Sequence, residues 1–152
     1  MHLLVVEDEG SIAEPLVEGL RAEGFEVTRV ATGREALDAP LVDLVLLDVR
    51  LPDLDGFTVC RELRARSDVP IIMVTAYSER GRVIDAINAG VDEFLVKPIR
   101  AVDVANRVNA VVERRRPFIQ TTSYFGPDRR RRDDPRHRGP WRRASDPGTV
   151  DI

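Results

Sequence analysis

Short runs of branched apolar residues alternate with amphipathic stretches through the first three quarters of the chain, and this alternation restricts the fold more than any other feature. The runs are Leu3 to Val6, Phe25 to Ala31, Leu44 to Leu47, Ile71 to Val74 and Phe94 to Val96. Each has the length of a strand, and each is followed by residues with helical spacing. The third run is apolar at every position, which is typical of a central parallel strand covered on both faces. The pattern predicts an α/β fold.

The stretches between the runs predict helices. The first is expected to start with Ser11 as its N-cap and to end at Gly24. The second is a brief piece from Arg34 to Asp38, and the fourth covers residues 79 to 89. Because crossovers between parallel strands are right-handed, five such units predict a doubly wound, five-stranded parallel sheet with helices on both faces.

Polar residues end or directly follow four of the five runs. Glu7 and Asp8 follow the first, Asp48 the third, Thr75 the fourth and Lys97 the fifth. Ligands bind at the carboxyl ends of the strands in open α/β sheets, so we expect these side chains to converge there. Three neighbouring carboxylates repel one another unless a cation lies among them. Mg²⁺ is the expected ion, since it takes one or two carboxylates and readily accepts phosphate oxygens.

Asp48 is the carboxylate best placed to act as a nucleophile toward a phosphoryl donor. The resulting aspartyl phosphate needs partners for its added charge, and Lys97 offers an ammonium group while Thr75 offers a hydroxyl. If Thr75 moves toward the phosphoryl group, the ring of Phe94 can refill the space that it leaves. The alternative is that Phe94 is an ordinary core residue.

Four motifs follow one another along the chain. They are Val5 to Glu9, Leu46 to Gly56, Val74 to Ala76 and Phe94 to Pro98. In order and spacing this set resembles the receiver domain of two-component response regulators, and the resemblance covers residues 1–115. It implies the flavodoxin-like (βα)5 receiver fold. The segment from Leu51 to Thr75 is similar to the branch of the family whose members usually carry a winged-helix DNA-binding domain.

The resemblance implies a role for each residue at the strand ends. Asp48 is implied to be the phosphoacceptor, Thr75 and Phe94 the switch pair, and Lys97 the phosphate-binding lysine. The peptide bond between Lys97 and Pro98 is implied to be cis. The metal ligands are implied to be the carboxylates of Glu7, Asp8 and Asp48 and the backbone carbonyl of Arg50.

Five residues elsewhere also carry expectations. Arg50 and Tyr77 lie two residues after the acceptor and after the switch threonine, where bulky side chains are expected to screen water and slow loss of the phosphoryl group. Arg107 and Asp92 either pair across a phosphorylation-favoured dimer or are ordinary surface charges. Cys60 is expected to be a buried apolar group rather than a reactive thiol.

The net charge of −3 conceals two opposite parts. Residues 1–113 hold 12 basic and 21 acidic side chains, a net charge of −9, whereas residues 114–152 hold 11 arginines and 5 aspartates, a net charge of +6. The segment 116–152 is rich in arginine and proline and poor in branched apolar residues, which predicts a basic, disordered tail. A solvated run, phosphate contacts with nucleic acid and docking on an acidic protein surface all remain open for it.

The preferred function is a stand-alone receiver that is phosphorylated by a sensor histidine kinase or phosphotransfer protein. It is expected to signal to a downstream protein through its fourth helix, fifth strand and fifth helix, and to have no outside substrate beyond slow hydrolysis of its own phosphoryl group. The alternative is a nucleic-acid-associated transcriptional regulator with the tail as effector. A homodimer is also left open. Without a long apolar run or basic leader, a cytoplasmic protein with no membrane contact is expected.

Overall fold

A parallel sheet forms the centre of the protein. The computed structural model describes residues 1–76, 82–114, 118–120 and 125–127. Its first five strands are β1 His2–Val6, β2 Glu26–Val30, β3 Leu44–Asp48, β4 Ile71–Thr75 and β5 Glu93–Val96. They are all parallel and lie in the order β2-β1-β3-β4-β5. The predicted five-stranded, doubly wound sheet is therefore confirmed.

Helices cover both faces of this sheet. They are α1 Gly10–Ala22, α2 Gly33–Asp38, α3 Gly56–Arg66, α4 Val83–Ala89 and α5 Ala101–Glu113. Helices α1 and α5 pack together on one face, and α2, α3 and α4 lie side by side on the other. None of these five helices combines the length and the apolar character that crossing a membrane would require.

The position of β3 in the sheet explains why its sequence contains no polar residue before Asp48. Leu44 and Leu46 point into the core beneath α1 and α5, whereas Val45 and Leu47 point into the core on the opposite face. All four side chains are buried. A strand covered on both faces needs apolar residues at every position, so the continuous run is explained by its central place in the sheet.

The start of α1 differs from the prediction. The helix begins at Gly10 with Glu9 at the N-cap position, so Ser11 lies inside the first turn and does not cap it. The Ser11 hydroxyl instead donates to the Glu9 carboxylate at 3.0 Å. Helix α2 begins one residue earlier than predicted, because the Thr32 hydroxyl and the Glu35 carboxylate form a capping box there.

A further pair of strands follows the five βα units. Strands β6 Phe118–Gln120 and β7 Phe125–Pro127 form an antiparallel pair, and β7 lies against α3. The prediction that the tail has no regular structure is therefore wrong for these six residues, where backbone pairing supplies hydrogen bonds that composition does not reveal.

The first residues of the predicted fourth helix, 79 to 81, lie outside the described residues.

Candidate functional site

The carboxyl ends of four neighbouring strands meet at one edge of the sheet. Asp48 is the last residue of β3 and Thr75 the last of β4, while Glu7 directly follows β1 and Lys97 directly follows β5. Asp48 lies beside Val74 in the strand register, which brings the ends of the two central strands level. Hydrogen bonds and close carboxylates show the predicted convergence for Glu7, Asp8, Asp48 and Lys97. The approach of the Thr75 hydroxyl to them stays a prediction.

Lys97 joins two of the carboxylates across the sheet. Its Nζ atom donates to Glu7 Oε2 at 2.8 Å and to Asp48 Oδ2 at 3.2 Å. Burial lowers the pKa of Lys97, but the bonds and charges of Glu7 and Asp48 outweigh this and raise it above its ordinary value. The Lys97–Pro98 peptide bond is cis, as the resemblance implies. Lys97 therefore remains charged and stands next to the candidate acceptor.

Asp48 is held in an environment that makes it a stronger base than an ordinary aspartate. Burial, followed by the neighbouring Glu7 carboxylate, raises the pKa of Asp48 to about 6, against the opposing effect of Lys97 and a hydrogen bond from the Arg50 backbone N–H. A carboxyl with this pKa is mostly ionised at neutral pH and yet more basic than usual. Both properties suit a nucleophile.

Three carboxylates at this edge are close enough to share a cation. One oxygen from each of Glu7, Asp8 and Asp48 lies within 4.8 Å of the others. Asp48 and Glu7 are buried, whereas Asp8 is exposed, so an ion held here keeps access to water and to an incoming ligand. Hard oxygen ligands with an open side fit Mg²⁺. The implied part of the Arg50 carbonyl in this site stays a prediction.

Arg29, at the end of β2, fixes the backbone of the acidic loop. Its Nε and Nη2 atoms donate to the Glu7 carbonyl at 3.2 and 3.1 Å, and Nη2 also donates to the Asp8 carbonyl at 3.1 Å. These bonds orient the residues that carry two of the carboxylates. Sequence reasoning missed Arg29, because an arginine in an edge strand gives no sign of a partner 21 or 22 positions away.

The loop between β3 and α3 is ordered by two aspartates and a glycine. Asp55 caps α3 by accepting from Phe57 N at 2.8 Å, and Asp53 accepts from Gly33 N at 2.8 Å and Arg34 N at 3.0 Å. A Cβ on Gly56 would lie 2.3 Å from the Asp48 carbonyl oxygen. Close packing against the acceptor strand therefore requires glycine here. An Asp directly before the helix was a signal for the cap, but the role of Asp53 depends on a distant helix.

Thr75 and Phe94 lie next to the same small space. Thr75 is buried and its hydroxyl donates to the Ala76 carbonyl at 3.2 Å, while Phe94 is half-buried. Both line a cavity of about 10 Å³ with Arg82 of the turn before α4. The Arg82 guanidinium lies 4.3 Å from the centroid of the Phe57 ring and 3.4 Å from Asp55. Sequence reasoning did not single out Arg82, and Tyr77 lies outside the described residues.

The matches to known proteins agree with this geometry. A family model described as the response regulator receiver domain matches residues 3–109. The chain belongs to this receiver family. Sensory transduction protein RegX3 of Mycobacterium tuberculosis is 45% identical over 115 residues, which is 74% of this chain and 51% of RegX3. DNA-binding response regulator MtrA of Mycobacterium leprae is 42% identical over 116 residues, 74% of this chain and 52% of MtrA.

The receiver spans about half the length of these curated relatives, whereas solved receivers match it almost end to end. A response regulator from Chloroflexus aurantiacus aligns with a TM-score of 0.70 at 36% identity, over 74% of this chain and 98% of that one. The receiver domain of sensor histidine kinase PA1611 from Pseudomonas aeruginosa, solved with a magnesium ion coordinated in its active site cleft, aligns at 0.68 and 32% identity over the same shares. These matches confirm the receiver fold.

Asp92 and Arg107 do not pair within this receiver. Asp92 Oδ2 accepts from the buried Arg64 at 2.6 Å and from Ile71 N at 2.8 Å, so it joins α3 to β4. Arg107 lies 3.6 Å from Glu93 instead. Asp92 is therefore not an ordinary surface charge, because its carboxylate binds a buried arginine. The pairing of Asp92 with Arg107 across a dimer stays a prediction.

Cys60 is confirmed as a structural residue. It is fully buried, its Sγ donates to the Ala89 carbonyl at 3.3 Å, and burial raises the pKa of the thiol to about 12. A thiol with this pKa is protonated at neutral pH and is a poor nucleophile.

Proposed function

We propose that this receiver accepts a phosphoryl group on Asp48 from a partner histidine kinase, in a magnesium-dependent reaction, and passes the signal on by protein contact. The observation that carries the proposal is the convergence of Asp48, Glu7, Asp8 and Lys97 at one edge of the sheet. The protein acts on no other substrate and loses the phosphoryl group by slow hydrolysis.

In the transfer, a carboxylate oxygen of Asp48 forms a new bond to phosphorus while the bond from phosphorus to the histidine nitrogen breaks. The imidazole keeps the electron pair of that bond and takes up a proton from the solvent. When bound by Glu7, Asp8 and Asp48, Mg²⁺ supplies positive charge against the oxygens of the phosphoryl group. Lys97, whose Nζ lies 3.2 Å from Asp48, adds a second positive charge beside the acceptor.

Phosphorylation of Asp48 adds negative charge, and Thr75 and Phe94 convert this into a change of the receiver surface near β5 and α4. The Thr75 hydroxyl turns from the Ala76 carbonyl to a phosphoryl oxygen, which is the stronger, charged acceptor. The two residues already line one cavity of about 10 Å³, so space released by Thr75 is open to the Phe94 ring. Arg82 lines the same cavity, so the start of α4 responds as well.

The output surface is formed by α4, β5 and α5. Ile84 on α4 is 68% exposed and Val102 on α5 is 44% exposed, and both are apolar. These exposed apolar side chains are available for contact with a protein partner. A second copy of the receiver is one partner that this face would accept.

Intact-mass analysis after incubation with a small acyl phosphate tests the proposal. The wild type is expected to gain one phosphoryl group with Mg²⁺ and none with a chelator, because the carboxylates alone repel the incoming anion. Asp48→Asn is expected to gain none. Asp43→Asn is the matched control, since Asp43 lies at the opposite end of β3 and accepts a hydrogen bond from the His2 backbone N–H, and it is expected to be labelled like the wild type. Labelling of Asp48→Asn at the wild-type rate would refute the proposal.

A nucleic-acid-associated regulator is the second candidate, favoured by the +6 charge of residues 114–152. Eleven arginines in this segment supply phosphate contacts, and counterion release makes such binding fall steeply with salt. Binding of the protein to a DNA column is measured at two salt concentrations. This candidate is favoured if the protein is retained at about 50 mM salt, is released at about 200 mM, and is not retained at all once the arginines from 129 to 132 are replaced by serine. Equally weak retention of the wild type and the serine variant would favour the receiver that signals by protein contact.

A further inference from the structure

The cavity beside the switch pair is too small for the movement that switching requires. Its volume is about 10 Å³, which is the room that a single water molecule needs and much less than a phenyl ring occupies. When Thr75 turns toward Asp48, it frees little more than the volume of its own hydroxyl and methyl groups. The ring of Phe94 can therefore enter only if another residue that lines the cavity also moves.

Arg82 is the lining residue best able to move. The described residues around the cavity are Val49, Phe57, Met73, Thr75, Arg82, Ala86 and Phe94. Apart from Arg82 and the switch pair, these side chains are buried apolar groups of the core, and close packing leaves such groups little freedom. The Arg82 side chain is 41% exposed and has a long, flexible stem, so it can swing into solvent without opening the core.

The Arg82 guanidinium contacts the first turn of α3. Its Cζ atom lies 4.3 Å from the centroid of the Phe57 ring, within the range of a cation–π contact. Its Nη1 atom donates to Asp55 Oδ2 at 3.4 Å, and Asp55 is the N-cap of α3. Arg82 itself occupies the N-cap position of α4. Its side chain therefore ties the start of α4 to the start of α3 beside the cavity.

We propose that Arg82 is the latch of the switch, a positioning residue that closes the solvent side of the cavity and leaves it when the Phe94 ring moves in. This inference rests on the proposed function, because phosphorylation of Asp48 is what draws Thr75 away. Opening of the latch releases the start of α4 from α3 and so carries the change from the acceptor site to the α4 surface. Arg82 sets how readily the receiver switches, since its contacts stabilise the closed conformation.

Fluorine NMR reads the position of the latch directly. 4-Fluorophenylalanine is incorporated at position 57 or at position 94 in turn. Before phosphorylation, Arg82→Gln is expected to shift the signal at position 57, because the cation no longer lies over that ring. Arg61→Gln is the matched control and is expected to leave the signal unchanged, since Arg61 is an exposed arginine of α3 that binds Thr58 of its own helix. With an acyl phosphate and Mg²⁺, the wild-type signal at position 57 is expected to move toward its position in Arg82→Gln, while the signal at position 94 shifts.

The two signals also define the results that would overturn the proposal. An identical signal at position 57 in the wild type and Arg82→Gln would overturn it before any phosphorylation, because the contact would be absent. A shift at position 94 on phosphorylation with no change at position 57 would overturn it too, because the ring would then move without opening the latch. Intact mass of the same samples separates these results from a failure of the proposed function. A wild type that gains no phosphoryl group refutes that function, and the latch with it.

Initial rates of phosphorylation by the acyl phosphate show whether the latch acts through Phe94. Arg82→Gln is expected to react about threefold faster than the wild type, the factor that corresponds to losing a partly exposed cation–π contact. In the Phe94→Ala background the same change is expected to have no effect, since the latch then has no ring to exclude. Arg61→Gln is expected to keep the wild-type rate and controls for the loss of one positive charge. An equal gain in both backgrounds, or no gain in either, would contradict the proposal.

Discussion

At the scale of single residues, Lys97 only partly offsets the repulsion between the buried carboxylates of the acceptor site. Asp48 and Glu7 are both buried, and each accepts a hydrogen bond from the Lys97 ammonium group. That single cation does not cancel the cost of two buried carboxylates, and the pKa of Asp48 stays raised at about 6. The site is therefore built to receive further positive charge, which is what a divalent ion provides.

This balance predicts a dependence of stability on pH in the metal-free protein. The pKa of Asp48 is about 6 in the folded state and about 3.9 when unfolded, so the stability contributed by this group is complete below about pH 3.9 and is lost as pH rises through about 6. Relative to wild type, Asp48→Asn should gain about 2 kcal/mol between pH 4 and pH 7, at roughly 1.4 kcal/mol per unit. Urea unfolding with a chelator at both pH values measures it.

Asp53→Asn is a control for this experiment, because the stability that Asp53 contributes depends on pH in the opposite direction. Slight burial raises the pKa of Asp53, but hydrogen bonds from the N–H groups of Arg34, Gly33 and Leu54 outweigh it and hold the pKa below its ordinary value. The stability from Asp53 is therefore present above about pH 3.9 and lost as pH falls through the lowered folded-state pKa. A gain in Asp48→Asn that is the same at pH 4 and pH 7 would contradict the account of Asp48.

At the scale of elements, the strand ends are brought together by close contacts of the loops that follow them. Gly56, at the start of α3, lies so near β3 that its backbone N–H donates to the Val49 carbonyl at 2.8 Å. Asp53 joins the same loop to the start of α2, and Arg29 joins β2 to the loop after β1. The geometry of the acceptor site thus depends on three loops held by long-range bonds.

Gly56→Ala is expected to destabilise the protein by about 2 kcal/mol, because overpacking costs about 1 to 3 kcal/mol and the new Cβ would lie 2.3 Å from the Asp48 carbonyl oxygen and 2.8 Å from the Val49 Cα. Gly10→Ala is the matched control, since a Cβ there meets nothing closer than the Glu14 side chain at 3.5 Å. Chemical denaturation of both variants measures the difference. Equal stabilities would show that α3 lies farther from β3 than described.

At the scale of the whole molecule, the sequence predicted what depends on local patterns and missed what depends on distant partners. The alternation of apolar runs and the polar residues at the ends of four of them were enough to predict the sheet and the convergence of Glu7, Asp8, Asp48 and Lys97. Arg29 and Arg82 were missed because each is defined by partners on other elements, and the bond from Arg64 to Asp92 was missed for the same reason. The β6–β7 pair was missed because arginine and proline around it dominate the composition.

The site of phosphorylation is the central claim, and reductive trapping tests it most directly. The protein is treated with an acyl phosphate and Mg²⁺, then with borohydride, which reduces an aspartyl phosphate to homoserine. The changed residue is located by peptide mass spectrometry. The account predicts homoserine at position 48, and none when Mg²⁺ is replaced by a chelator. Homoserine at Asp8, Asp53 or any other aspartate, with position 48 unchanged, would contradict it.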